Sequence, residues 1–520
     1  TLPFRKMKRI CIIGDCPLKE SIRKQYLSLG VESIAEYASG LVDISEIKGV
    51  EEFVILTSPS GDSMVNADIE ALALLKALAD TAPHAPVTRP VVHLLLQSPA
   101  SLRAIQMMDL PAGVEDKLEV YPFTMEDIWA KNVLVQLPGI ADGDYRALDR
   151  EGIGKESRCY VHIVLSGFNA QAESIAIYTA LTAHYPNYRP KDKFPLRTRI
   201  TIIEEGLQSK RDAFISRYQS LFDNSFYRTV DVKKHSIDFH RPMYAGKRSD
   251  FVDVEWEFVY SSINNPEVRR KIHNWVNDNN QLLTFFVCGD NDGQNISDLL
   301  SLPKVIIERE IPIIVQQSGS EPSKALCDSA NYNNIRTFGM KDYGYDVTLP
   351  LVKLAKLLAY AYDFSYNNQH FPTKLPVDKA EKIWKDEKSF KMRCSCICNV
   401  MTIAAKMRSL GHDAADAGVF YALTQSEIES LSETEHNRWS VERLVQGARP
   451  CTDEELADIR TDIKTLKQVY KNKDIHFDLR AYDELEEDGT GRNVKEYDYA
   501  LTAIIPLMVK TFYEKYGHGE

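Results

Sequence analysis

Short apolar runs that end at a glycine and pass into a helical pattern recur along this chain and set its expected architecture. The clearest is Tyr160-Val161-His162-Ile163-Val164-Leu165-Ser166-Gly167-Phe168-Asn169-Ala170-Gln171-Ala172-Glu173. A run this continuous predicts a parallel strand buried on both faces. The glycine permits a tight turn that aims the free N–H groups of the next helix over the strand end. Ala172, Ala176 and Ala180 then recur every four residues, a small-residue face that lets the helix lie close to a sheet. Arg199 to Glu205 reads as the next strand and ends in acids.

The same grammar appears before and after this stretch. Arg9 to Asp15 is a first short strand ending at Gly14, Phe53 to Ser58 a second, followed by a helix from Asn66 to Ala79, and Val91 to Ser98 a third. Beyond the central unit, Phe285 to Asp290 leads through Asn291 to Asn295 into a helix, and Ile311 to Ser318 follows as a strand. Val91 to Ser98 and Ile311 to Ser318 hold matching places, and both close on a Gln-Ser pair. That suggests an internal duplication of a Rossmann-like unit over residues 1–150 and 151–366. In such a unit Glu204 stands where a ribose hydroxyl is held. The turn Gly14-Asp15-Cys16-Pro17 puts an acid and a proline where a phosphate needs bare N–H groups, so the first unit is the weaker nucleotide candidate. Asp290 and Asp292 open like a calcium loop, but no glycine stands at its sixth position, and a capped turn is the expectation. The stretch Lys233 to Glu255, with His235, His240, Arg241, Lys247 and Arg248, reads as a solvated loop; a basic loop closing over an anion is the second reading.

Lys353 to Tyr362 is an apolar helix, Asn367 to Pro372 a linker, and residues 373–520 a mainly helical region. Val400 to Leu410 stops at Gly411 as helices stop at a C′ glycine. Ser426 to Val445 forms a further helix, with Ser432 or Thr434 as a cap of its second part. On it His436, Trp439 and Arg443 share one face, a set suited either to an amphipathic nucleotide or to a buried core network.

Composition narrows the function. With 520 residues, 44% of them hydrophobic, the chain has ample material for large cores. A net charge of −11 argues against general nucleic-acid binding. No apolar run approaches the roughly 18 residues of a membrane span, and Thr1 to Arg9 has no apolar signal core. The expectation is therefore a cytoplasmic chain, or the cytosolic part of a membrane protein whose spanning segment precedes Thr1. Nine cysteines fit reduced thiols. Cys394, Cys396 and Cys398 lack the partners of a zinc set, so no metal site is expected. Walker A, H-E-x-x-H, G-x-S-x-G and the full G-x-G-x-x-G are all missing, and no catalytic residue is assigned.

Glu435-His436-Asn437-Arg438-Trp439-Ser440-Val441-Glu442-Arg443-Leu444, then Gly447, Lys473 to Leu479, Tyr482, Leu485 and Lys495 to Asp498, resemble the RyR domain named from the ryanodine receptor repeats. Ala448 departs from the tryptophan usual there. The two preceding units, through Ile10 to Gly14, Val161 to Glu173, Glu204 and the pattern ending at Asn295, resemble TrkA-N or RCK domains, the cytosolic gating units of potassium channels and transporters. These resemblances imply an α/β protein with two Rossmann-like parallel-sheet domains and a helical RyR domain. They also imply a homodimer and a ligand sensor that controls an effector, such as a membrane channel or an anti-phage response. The ligand implied is a nucleotide or dinucleotide, held by Gly167, Phe168, Asn169 and Gln171 with Glu204 and Asp290, and in the RyR domain by His436, Trp439 and Arg443. A Rossmann-type enzyme acting on NAD or another nucleotide is the alternative.

Overall fold

In the computed structural model the described residues are 8–41, 43–44, 47–59, 64–82, 89–137, 145–242, 250–319, 333–368, 370–386, 388–413 and 422–517. Lys247 and Arg248 of the expected basic loop, and Thr1 to Met7, lie outside them.

The first glycine-ended run forms β1 (Arg9–Gly14), followed by α1 (Lys19–Ser28), β2 (Ser33–Tyr37), β3 (Glu52–Leu56), α2 (Met64–Thr81), β4 (Val91–Leu95), α3 (Pro99–Met108), β5 (Glu119–Phe123) and α4 (Met125–Leu134). All five strands run parallel, in the order β2-β1-β3-β4-β5. The apolar runs supply the buried interior strands, while β2 lies half exposed at an edge.

The second unit comprises β6 (Tyr160–Ser166), α5 (Ala170–Thr182), β7 (Thr198–Glu204), α6 (Leu207–Arg217), α7 (Gln219–Asp223), β8 (Phe226–Asp231), β9 (Ser236–His240), β10 (Val254–Tyr260), α8 (Pro266–Asn277), β11 (Gln281–Val287), α9 (Asp292–Ser301), α10 (Lys304–Glu308), β12 (Ile313–Gln316) and β13 (Ile335–Phe338). Its eight strands lie in the order β13-β12-β11-β6-β7-β10-β8-β9. The sheet is mixed rather than wholly parallel, because β9 pairs antiparallel with β8. The polar stretch expected as a loop thus supplies an edge hairpin: His235 takes a positive φ of 51° at its turn, and His240 stacks on Tyr227. In β10, Val254, Trp256 and Phe258 enter the core beneath α5. Glu257 is buried on the other face, where burial opposes its charge, yet Arg228 and Lys271 hold its pKa down at about 2. Ala172, Ala176 and Ala180 all sit at full burial against the sheet, as their spacing predicts.

The remaining helices are α11 (Pro350–Asn368), α12 (Val377–Asp386), α13 (Phe390–Val400), α14 (Ile403–Ser409), α15 (Gln425–Val445), α16 (Asp453–Ile459), α17 (Ile463–Lys471), α18 (Lys495–Ala503) and α19 (Ile505–Tyr516). Two short strands, β14 (Arg449–Pro450) and β15 (Ile475–His476), pair among them. α15 is one unbroken helix, started by a capping box between Thr424 and Glu427. Ser432 and Thr434, expected to cap its second part, instead donate to the carbonyls of Ile428 and Ser430 one turn back. α13 carries Cys394, Cys396 and Cys398, whose thiols burial pushes up to about 12, where they stay protonated and inert. Among the described residues there is no cluster able to hold a metal, and no helix long and apolar enough to cross a membrane.

The three regions share one hydrophobic core running from Tyr121 to Phe512. α4 packs on α5, α13 on α3, and α15 on α5 and α7, while α11 packs on α12, α13, α18 and α19. Residues 340–349 return to the first unit: Tyr345 stacks on Phe123 at 3.9 Å, and Trp129 donates to the Met340 carbonyl at 2.6 Å.

Candidate ligand-binding site

In the second sheet β7 and then β10 lie on one side of β6, with the β8–β9 hairpin beyond them, and β11, β12 and β13 follow on the other, so the connections leave its β6–β11 boundary to opposite sides. Crevices form outside the carboxyl ends of strands at such a reversal. Gly167 makes the turn there with φ of 89°. A Cβ on it would lie 2.4 Å from the Cys288 carbonyl oxygen, so the glycine is required by the approach of two backbones. Asn169 caps α5 by accepting from Ala172 N at 3.0 Å. Its amide also donates to Gly289 O and to Gln316 Oε1, each at 2.8 Å, which ties the ends of β6, β11 and β12 together.

Two of the expected crevice residues point elsewhere. Phe168 is buried in the core, edge-on to Phe214 at 5.1 Å, because the turn directs this large apolar ring under the sheet. Gln171 is buried and donates to the Glu126 carbonyl at 3.0 Å, fastening α5 to the first unit.

Glu204 and Asp290 converge through a residue the sequence pattern did not single out. Lys210, on the first turn of α6, lies 2.5 Å from Glu204 Oε1 and 3.8 Å from Asp290 Oδ1. Glu204 Oε2 is buried and, among the described residues, has no hydrogen-bond partner. A buried acceptor without a donor is costly, and it marks a place for one. Asp290 is mostly exposed at the rim. Asn291 and Asp292 form the expected capped turn: Asn291 accepts from Gln294 N, and Asp292 accepts from Ser318 N at 2.9 Å. The signal for Lys210 was its place six residues after Glu204, within reach of the strand end once a helix begins at Leu207.

On α15 the three expected ligand residues are near one another but engaged within the chain. His436 is buried, with Nε2 2.9 Å from the Arg480 carbonyl and Nδ1 3.4 Å from Asp498; burial works against its proton, but the Asp498 contact raises its pKa. Trp439 stacks on His436 at 5.6 Å and meets His476 edge-on at 4.7 Å. Arg443 pairs with Glu442 at 2.7 Å. Behind them Glu435 is fully buried, yet Arg438 and Lys406 overcome that burial and hold its pKa at about 2.

No protein-family model matches the chain, and no curated protein matches it either. The candidate site therefore stands on its own geometry. The β6–β7–β11 end offers a capped helix N-terminus, a lysine and a carboxylate with one free oxygen, groups suited to a ligand carrying both anionic and hydroxyl parts.

Proposed function

We propose that this chain is a regulatory sensor of a nucleotide-type ligand, built from two Rossmann-like units of the TrkA-N or RCK kind and a RyR-like helical region. The order β13-β12-β11-β6-β7-β10 corresponds to the doubly wound arrangement of dinucleotide-binding folds, and β2-β1-β3-β4-β5 to its five-stranded variant, which supports the reading of both units. The observation that carries the ligand assignment is the unpartnered Glu204 Oε2 at the end of the strand next to the reversal point, in position to accept from a ribose hydroxyl. Lys210 and the N-terminus of α5 then face the ligand's phosphates. Binding shifts the arrangement of the three regions only so far as the ligand prefers one arrangement, and the effector that reads it is a channel or an anti-phage response.

Titration calorimetry with NAD, ADP-ribose and ATP tests the assignment. One of them binds saturably, and Glu204→Ala weakens that binding while leaving the thermal midpoint nearly unchanged. Equal affinity in the variant overturns the site, and turnover of the bound nucleotide replaces the sensor with an enzyme. Light scattering tests the homodimer part of the proposal, with twice the 59.1 kDa chain mass expected.

A further inference from the structure

Where the three regions meet, a cavity of about 190 Å³ is lined by α3, β5, α4, α5, residues 344–352, α13 and α15. Its walls are largely apolar, contributed by residues such as Leu102, Phe123, Ile177, Tyr345, Ile397 and Val445. A dry cavity of roughly 150 Å³ lined by such side chains is enough to hold benzene. Its polar groups are unevenly satisfied. Every acidic side chain on the wall has a partner: Asp127 accepts from the Tyr178 hydroxyl at 2.7 Å, Glu173 pairs with Arg217, Glu442 is held by Arg438 at 2.6 Å, and Asp346 accepts from Thr348 N at 2.8 Å. The cations are less well served. Lys131 forms no ion pair among the described residues and lies 5.4 Å from the Tyr178 ring centroid. Arg103 donates to Gln106 Oε1 at 3.2 Å and to the Tyr218 hydroxyl at 3.5 Å, forms no ion pair among the described residues, and leaves its Nε unpartnered. Arg393, 3% exposed, donates its Nε to the Trp384 carbonyl at 3.2 Å and lies 4.0 Å from Glu115, but has a buried Nη1 with no partner.

We infer that this junction cavity is a second ligand site, taking a small amphipathic monoanion whose apolar body fills the cavity and whose carboxylate or equivalent group lies at Lys131 and Arg103. Half-buried and buried cations with unused donors beside an apolar cavity favour an anion with an apolar body, because it supplies the counter-charge and the stronger, charge-assisted acceptor that a neutral ligand lacks. The occupant touches all three regions at once, so its binding favours the arrangement in which they are closed on one another.

The test uses the full chain and two anionic probes, octanoate and phenylacetate, beside their neutral counterparts octanol and phenylacetamide, by calorimetry and ligand-observed NMR. At least one anion binds saturably, its neutral counterpart binds about tenfold more weakly, and Lys131→Met lowers anion affinity by a similar factor with the fold intact by circular dichroism. Ile177→Phe, which fills the void, weakens anion and neutral probes alike, whereas Glu204→Ala changes neither, which separates this site from the strand-end crevice. No saturable binding of either anion at millimolar concentration, equal binding of charged and neutral probes, or undiminished affinity in Lys131→Met each overturns the proposal.

Discussion

The two sheets use the same joints and differ in what they place beside them. Gly14 and Gly167 both end the first strand of their unit with positive φ, and a Cβ on either would lie 2.4 Å from a backbone carbonyl oxygen, that of Leu56 in one and Cys288 in the other. Asp68 on α2 accepts from Gln97 N and Ser98 N after β4, and Asp292 on α9 accepts from Ser318 N after β12, so an aspartate on the preceding helix ties down the Gln-Ser turn in both. β4 and β12 are each the second strand beyond the point where strand order reverses, as the duplicated motif implies. The surroundings then part. In the second unit α5 has a side-chain cap and β7 ends in Glu204 with its free oxygen; in the first, α1 starts at Leu18 with no side-chain cap and β2 is an edge strand. Turn geometry is thus scaffold, and the features that distinguish a ligand seat are the groups added around it.

The largest expected break in this comparison is in acid. His162 on β6 is buried between Gln281 and Thr201, and burial lowers its pKa to about 3 from an ordinary 6.5. The unfolded chain takes up that proton below 6.5 while the folded chain does not, so this contribution is complete above pH 6.5 and is lost as pH falls towards 3. At about 1.4 kcal/mol per unit over the fall from 6.5 to about 3, that is roughly 5 kcal/mol. In the first sheet burial opposes the charge of Glu52, but His93, Lys8 and Tyr26 hold its pKa at about 2, so its contribution is lost only as pH falls from about 4.5 towards 2. Urea unfolding between pH 6.5 and 4.5 should therefore be shallower in pH for His162→Gln than for the parent. Identical slopes would remove the distinction.

Next come the glycines. Gly167→Ala and Gly14→Ala should each cost about 3 kcal/mol, the sum of an unfavourable backbone conformation and a backbone collision, measured by denaturant unfolding. Tolerance of one but not the other would break the equivalence of the joints. Asp68→Ala should cost about 2 kcal/mol, since two part-buried N–H groups lose their acceptor, and Asp292→Ala less, because its turn is open to water. The smallest effect sharpens the functional contrast: Glu204→Ala should reduce nucleotide affinity about tenfold, roughly 1.4 kcal/mol, with stability nearly constant by thermal melt.

What was legible in the sequence followed from burial on both faces. β1, β3, β4, β6, β7, β11 and β12 are short runs dominated by apolar and β-branched residues, and the turn glycines after β1 and β6 and the alanine face of α5 announce themselves. β2 was hidden because an edge strand needs little apolar surface, β5 because Pro122 interrupts it, and β10 because Glu255 and Glu257 alternate with its core residues. Only folding brings Arg228 and Lys271 to Glu257, which makes a buried acid tolerable in a strand.

By itself, then, the sequence determined the α/β class, the repeated strand, glycine and helix unit, the helical C-terminal region and the acid at the end of β7, because each is a local pattern with a local cause. The tertiary structure decided the rest. It turned Phe168 and Gln171 away from the crevice, brought Lys210 between Glu204 and Asp290, gave Trp439 and His436 partners within the chain, and formed a cavity between three regions. Those outcomes depend on which distant backbones and charges meet, and residue spacing carries no record of such meetings.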